Sequence, residues 1–179
     1  MALIKQRNSK QTGFTHIEVL VSVLVLAVGI LGMSSLQISS LQNSSRSVLR
    51  TQAVYLSYEI LDRIRANPEA AIAAIKTSAV TMGAPTATNS CVGATCSQAQ
   101  LFAFDLLEWK CALGKYASSD ACTALNNSLL DLNAGLPEGD GSIAINSNNE
   151  FTITIRWQEA RESTEANPAY ASFELKGVL

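Results

Sequence analysis

The chain carries one long apolar segment, Gly13-Phe14-Thr15-His16-Ile17-Glu18-Val19-Leu20-Val21-Ser22-Val23-Leu24-Val25-Leu26-Ala27-Val28-Gly29-Ile30-Leu31-Gly32-Met33. No charged residue occurs from Val19 to Ser45, which is long enough for a membrane-spanning helix of about 20 apolar residues. Glu18 lies near the start of this segment. Because a carboxylate inside a bilayer is costly unless it is paired, the sequence predicts a spanning helix and a charged partner for Glu18.

The residues before this segment predict its orientation. Residues 1–13 contain Lys5, Arg7 and Lys10 and no acidic residue. Positive residues beside a span stay in the cytoplasm, so the rest of the chain is expected on the far side of the membrane. A secretory signal peptide would have a shorter apolar core followed by a small-residue cleavage site. Here the apolar run is longer and no A-x-A pattern follows it.

Gly13, Phe14 and Glu18 match the Gly–Phe-x-x-x-Glu pattern, and the segment resembles the class III signal of type IV prepilins. The resemblance implies that a prepilin peptidase removes residues 1–13 as a leader and methylates the new Phe14 amine. It also implies a helix kept in membrane lipid until it enters a filament. The freed α-ammonium of a neighbouring subunit could then pair with Glu18, and such a buried pair would set the register between subunits.

Three further residues of the segment have alternative interpretations. The prepilin family usually has an aliphatic residue at the position of His16, which is the only histidine of the chain. It is either a neutral imidazole or a pH-sensitive neighbour of Glu18. Gly29 and Gly32 indicate either close helix packing or a stretch that unwinds during assembly, because glycine weakens helices.

The helix is expected to continue well beyond the apolar segment, over Phe14 to Ala66. Residues 14–33 form its membrane or filament-core half, and residues 34–66 form an amphipathic half that a domain of residues 67–179 must cover. Asn67-Pro68 predicts the end of the helix. The apolar positions at helical spacing are Leu41, Val48, Leu49, Ala53, Leu56, Ile60 and Ile64.

The region 67–135 is predicted to be mostly loop with one short helix. After a short alanine-rich turn, residues 69–96 lack regular periodicity. Ser97 and Gln100 form a capping-box pattern that opens a helix from Gln98 to Leu113. One stripe of this helix is apolar and consists of Phe102, Leu106, Trp109 and Leu113.

The four cysteines all fall in the part expected in the periplasm, where disulfides form. In a continuous helix, Cys96 and Cys111 would be about 22 Å apart, too far for a bond. Of the two remaining connectivities, Cys91–Cys96 with Cys111–Cys122 closes the shorter loops and is favoured. The spacings are unlike those of zinc sites, so no metal is expected.

The region 136–179 is predicted to be an antiparallel β-meander. A turn over Leu136 to Gly141 precedes strands at Ser142 to Asn146, Glu150 to Gln158 and Tyr170 to Lys176, with a polar loop over residues 159–167. The middle strand alternates cleanly, with Phe151, Ile153, Ile155 and Trp157 on its inner face. A long first helix followed by strands gives an α+β, pilin-like fold.

Three segments of this half, Phe104 to Trp109, Leu136 to Gly141 and Thr152 to Trp157, are similar to the PilV family of type IV minor pilins. The resemblance implies a subunit that joins other minor pilins and the major pilin at the assembly platform of the inner membrane. Such a complex initiates the pilus, with the fibre tip as its expected position. Trp109 and Trp157 are expected in the core, and Asp105 is expected to be an exposed or capping acid.

Composition argues against several other function classes. Without the leader, ten basic residues stand against fifteen acidic ones, a net charge of −5, whereas nucleic-acid binding needs a basic patch. The lone histidine lies in the membrane segment and no glycine-rich phosphate loop is present, so neither an enzyme nor a cofactor is expected. A pseudopilin of a type II secretion system shares the N-terminal signal and is the alternative to a minor pilin.

Overall fold

The computed structural model describes residues 13, 15–86, 88, 90–126, 135–159 and 169–179. The elements are α1 (His16–Ala66), α2 (Pro68–Thr77), α3 (Gln98–Leu113), α4 (Asp120–Asn126), β1 (Asp140–Ile145), β2 (Glu150–Gln158) and β3 (Tyr170–Val178). The chain divides into two compact units, one up to Ser45 and one from Arg46 to Leu179. The expected leader before Gly13, Phe14 and most of the polar loop lie outside the described residues.

The part of α1 within the second unit is amphipathic, as its periodicity predicted. Its buried face includes Ala53, Ile60 and Ile64, which are all fully inaccessible to solvent. The periodic positions Leu41 and Val48 are instead 71% and 62% exposed. Periodicity identifies the helix but not which of its apolar positions are buried, since Leu49, next to the exposed Val48, packs against the core.

The junction between α1 and α2 corrects one prediction. α1 ends at Ala66, as the Asn67-Pro68 pair indicated. The expected short turn is instead the ten-residue helix α2, with Pro68 in its first turn, where a missing N–H costs nothing. Asn67 is buried, and its Nδ2 donates to the Gln98 carbonyl oxygen at 2.7 Å. This bond ties the α1–α2 junction to the start of α3.

Helix α3 is buried on two faces. Its capping box is confirmed: Ser97 Oγ accepts from the Gln100 amide at 3.3 Å and Gln100 Oε1 accepts from the Ser97 amide at 2.9 Å. The predicted stripe packs into the main core, where Phe102, Trp109 and Leu113 are buried. The opposite face, with Phe104, Leu107 and Cys111, packs in a second cluster with Cys122 and Leu125.

Within the described residues, the sheet has three antiparallel strands in the order β1-β2-β3. The inner face of β2 is buried, as its alternation predicted. The first strand begins at Asp140 rather than Ser142, so two residues of the expected turn belong to the sheet. The α+β fold predicted from the sequence is therefore confirmed.

Trp109 links α1, α3 and β1 at the centre of the second unit. Its side chain is fully buried, and its Nε1–H donates to the Leu56 carbonyl oxygen of α1 at 3.0 Å. A Cβ atom added at Gly141 would lie 2.5 Å from the Trp109 ring. Glycine at this position therefore allows β1 to approach the indole closely.

Candidate functional site

The expected processing junction lies just before α1. Gly13 is exposed, and Phe14 lies outside the described residues. A Cβ atom at Gly13 would meet no atom within 4 Å. The fold therefore does not require glycine at residue 13, and a requirement for it would come from another molecule that reads this segment.

Glu18 lies in the first turn of α1, on the exposed surface. Its backbone N–H donates to the Thr15 carbonyl oxygen at 3.0 Å. An acid in a first turn interacts favourably with the partial positive charge of the helix N-terminus, which accounts for part of its placement. Its carboxylate has no ion pair or hydrogen bond with any residue that the structure describes. The side chain is therefore available to a cation from outside the chain.

Two serines of α1, Ser22 and Ser34, differ from Glu18 in this respect. Ser22 Oγ donates to the Glu18 carbonyl oxygen at 2.7 Å, and Ser34 Oγ donates to the Ile30 carbonyl oxygen at 2.9 Å. Both hydroxyls are thus satisfied within their own helix, an arrangement suited to an apolar environment. The carboxylate of Glu18 makes no such bond with the described residues of its own helix.

The surface around Glu18 is apolar and uncovered. The most apolar 18-residue window of α1 has a mean hydropathy of 2.5, and none of its residues is buried. Leu20, Leu24 and Leu31 are each more than 60% exposed. A soluble monomer rarely exposes a continuous patch of this kind. By length and composition this helix can cross a membrane, and lipid or other helices are the environments that would cover it.

The glycines of α1 contribute to the same surface. A Cβ atom at Gly29 or at Gly32 would meet nothing within 4 Å. Neither glycine is therefore needed for packing within the chain. Close approach of another helix and local unwinding both remain interpretations of these two positions.

The second unit contains two disulfides, and no cysteine is free. Cys91 is joined to Cys96 with 5.8 Å between their Cα atoms, and Cys111 is joined to Cys122 with 5.5 Å. These are the pairs that loop length favoured. The first joins two cysteines five positions apart in an exposed loop, whereas the second is buried and fastens α4 to α3.

Arg63 connects α1 to α3 through the carboxylates of Asp105 and Glu108, and it also pairs with Glu59 of its own helix. Its guanidinium lies 2.9 Å from Asp105 Oδ1 and 2.8 Å from Glu59 Oε1, and it also bonds Glu108. Burial raises the pKa of Asp105 above its usual value, Arg63 opposes that rise, and the charges of Glu108 and Glu59 add to it. Asp105 is therefore not the exposed or capping acid that the sequence suggested. It is a half-buried partner of a long-range ion pair.

A buried ion pair joins α3 to the first strand. The ammonium of Lys110 lies 2.8 Å from Asp140 Oδ1, and the two side chains are only 5% and 3% exposed. The same ammonium donates to the carbonyl oxygens of Thr81 at 2.8 Å and Gly141 at 2.6 Å. Burial lowers the pKa of Lys110, and Asp140 opposes this effect. Four oxygen atoms, including that of Gly83 at 3.3 Å, thus surround one charge.

Sequence reasoning missed both ion pairs, although α3 gives one signal. Lys110 lies between Trp109 and Cys111, which belong to two apolar faces of this helix, and a lysine is almost never buried without a partner. The identity of the partner, thirty residues away, is not encoded in any local pattern. Among the described residues, no group of three or more His, Cys, Asp or Glu side chains is arranged to hold a metal ion.

The family comparison gives one match. Residues 35–107 match the family model described as Tt1218-like, type IV pilin Tt1218. Comparison with curated proteins and with solved structures gave no match. The matched segment runs from within α1 into α3 and includes neither Glu18 nor the sheet. The match supports a type IV pilin role for the chain.

Proposed function

We propose that the chain is a minor pilin of a type IV pilus system that helps to initiate fibre assembly together with other minor pilins. The observation that carries the proposal is the exposed apolar half of α1, with one unpaired carboxylate at its start. In this proposal, residues 14–33 of the helix are the membrane and filament-core element, and residues 67–179 form the periplasmic head.

Two independent parts of the chain support a pilin. The Gly13–Phe14 junction and Glu18 carry the processing and pairing pattern, and they lie before residue 35. The family match covers residues 35–107, so it does not arise from that pattern. Because two separate segments both resemble pilins, a chance resemblance of one apolar helix does not explain the similarity.

The proposed chemistry at the N-terminus is a charge pair between subunits. Cleavage after Gly13 would create an α-ammonium on Phe14, which the peptidase would then methylate. In a filament, this cation would meet the carboxylate of Glu18 from an adjacent subunit. Removing one partner of a buried pair leaves an uncompensated charge, so assembly would depend on Glu18.

The minor-pilin part of the proposal rests on the C-terminal half. The segments around Trp109, Asp140 and Trp157 resemble the PilV family, and in this structure they meet in one core and its adjoining ion pair. The partners would be other minor pilins, the major pilin, the prepilin peptidase and the inner-membrane assembly platform. A type II secretion pseudopilin is the alternative, because it shares the N-terminal signal.

Deleting the gene distinguishes these two functions. Loss of surface fibres in electron micrographs, with normal secretion of exoproteins, is expected for a minor pilin. Loss of secretion with normal fibres would identify a pseudopilin instead. A strain with both properties intact would contradict both functions.

A matched pair of variants tests the role of Glu18. The deletion strain is complemented with Glu18→Ala or with Glu69→Ala, which removes an exposed acid from the first turn of α2. Glu18→Ala is expected to reach the membrane at normal levels but to enter sheared fibres at least tenfold less than the control. Equal incorporation of the two variants would refute the charge-pair mechanism.

A further inference from the structure

Residues 78–83, here called the strap, run along the outer edge of β1. Val80 makes an isolated bridge to this strand: its N–H donates to the Ile143 carbonyl oxygen at 3.0 Å, and the Ile143 N–H donates to the Val80 carbonyl oxygen at 2.8 Å. In the strand order β1-β2-β3, β1 is a terminal strand. The strap therefore covers the middle of an edge that would otherwise be open.

The ion pair of Lys110 and Asp140 holds the strap beyond this bridge. Lys110 Nζ donates to the carbonyl oxygens of Thr81 and Gly83 at 2.8 and 3.3 Å. From the other side, Asp140 Oδ2 accepts from the Gly83 amide at 2.8 Å. Both members of the pair thus bind the strap and each other, and both are almost completely buried.

Apolar packing holds the strap at Val80, which packs against the main core, but it is sparse beside α3. A cavity of about 430 Å³ lies beside the strap, lined by Ser78 and Thr81 of the strap and by Leu106 and Leu107 of α3. An open cavity means that few atoms of the strap are in van der Waals contact with the helix there. On the side of the strap beyond Val80, the polar bonds at Thr81 and Gly83 are therefore the main connection to α3 and β1.

The two edges of the sheet differ in their own protection. An exposed edge strand offers unpaired N–H and C=O groups to other chains, and charged side chains on the strand discourage such pairing. The strand β3 carries the exposed charges of Glu174 and Lys176. In contrast, the β1 residues 141–145 read Gly-Ser-Ile-Ala-Ile and carry no charge. Without the strap, residues 141–145 of β1 would be an uncharged, unprotected edge.

We propose that the Lys110–Asp140 pair is a latch that keeps the strap on β1 and thereby closes this edge to strands of other chains. Opening the latch frees the backbone groups on the outer edge of β1, including the Ile143 N–H, and self-association through β1 follows. The latch is a property of the head and does not depend on its role in a pilus.

The test uses the full chain in detergent solution, with hydrogen exchange as the first readout. Lys110→Met is expected to speed exchange of the Val80 and Ile143 amides at least tenfold while leaving the Ile153 amide of the central strand unchanged. Lys176→Met, which removes an exposed cation from β3, is the matched control and should leave all three amides unchanged. Unchanged exchange at Val80 and Ile143 in Lys110→Met would overturn the latch.

Light scattering is the second readout and tests the edge itself. Lys110→Met should form larger assemblies, and adding Ala144→Lys, a charge at an exposed position of β1, should suppress them without restoring slow exchange. Absence of assemblies, or assemblies that persist with Ala144→Lys, would overturn the role of the strap as an edge cover.

A double variant covers the case in which Lys110→Met does not fold. Lys110→Met with Asp140→Leu removes both charges, so no unpaired charge remains buried, and such replacements are often tolerated. The same exchange and scattering results are expected of it, and the same contrary results would overturn the proposal.

Discussion

Replacing Gly141 by alanine tests the close contact between β1 and α3. The added methyl carbon would lie 2.5 and 2.9 Å from two atoms of the Trp109 ring and 3.0 Å from Leu113 Cδ1. Real Cβ atoms essentially never approach other atoms so closely, so one side must move. Trp109 is fully buried and its Nε1–H is bonded to α1, which leaves the ring little room to shift.

The size of the effect follows from this geometry. Adding one methyl group to a close-packed core costs roughly 1–3 kcal/mol. For a domain the size of the second unit, roughly 1 kcal/mol lowers the melting temperature by about 3–5 °C. We therefore expect Gly141→Ala to lower Tm by about 3–15 °C in differential scanning calorimetry, with unchanged disulfides.

A double-mutant cycle with Trp109→Phe identifies the cause. Phenylalanine lacks the outer ring atoms that the new methyl group would strike, so the two changes together should cost less than the sum of the separate costs. The coupling should exceed about 0.5 kcal/mol. A Tm of Gly141→Ala within 1 °C of the wild type, or strictly additive costs, would refute the reasoning.

Three other predictions concern processing, the disulfides and pH. Gly13→Leu should leave the protein at its precursor mass, because glycine at this position is part of the proposed cleavage signal. The fold has room for a side chain there, so misfolding would not be the cause. A normal mature mass would contradict the cleavage site. Alkylation without reductant should label no cysteine, and labelling of two or more would contradict the pairing. Removing Cys111–Cys122 should lower the free energy of unfolding by roughly 3 kcal/mol, and removing Cys91–Cys96, which closes the shorter loop, by roughly 2 kcal/mol. Equal losses would contradict this. The pKa of the Asp105 carboxyl is raised in the folded state. Its contribution to stability is therefore largest below the pKa that this carboxyl has in the unfolded chain, and it is lost as pH rises through the pKa of the carboxyl in the folded state. The stability of the wild type relative to Asp105→Asn, from urea unfolding, should therefore increase between pH 7 and about pH 4, and a constant or opposite difference would contradict it.

Local chemistry explains why some elements could be predicted to the residue. The capping box at Ser97 marks the start of α3, and Leu113 with the following Gly114 marks its end, where the glycine has φ +113°. Strict alternation from Glu150 to Gln158 identifies β2 in the same way. In both cases, the signals lie within a few residues of the element they define.

Other elements depended on contacts that no local pattern contains. Pro68 ends one helix and begins the next, and only the first role was recognised. The short helix α4 is held by Cys122 and Leu125 against α3 rather than by strong periodicity. Asp140 lies between Gly139 and Gly141, a sequence typical of a turn, yet it begins the strand β1, where it is buried beside Lys110.

The candidate assembly site shows the same division. Its apolar length and lone carboxylate could be predicted from the sequence, because both are features of one continuous helix and do not depend on contacts with distant residues. The ion pairs of Arg63 and Lys110 could not, since each joins residues that are far apart in the chain.

The buried bond between Cys111 and Cys122 has a consequence for cleavage by proteases. The peptide between these two cysteines includes the segment 114–119, which connects α3 to α4. A cut anywhere within it leaves the two fragments covalently attached, so β1, β2 and β3 stay tethered to α1. Because cleavage adds only one water, the nicked protein would keep its apparent size on a non-reducing gel, and only a reductant would separate the two pieces.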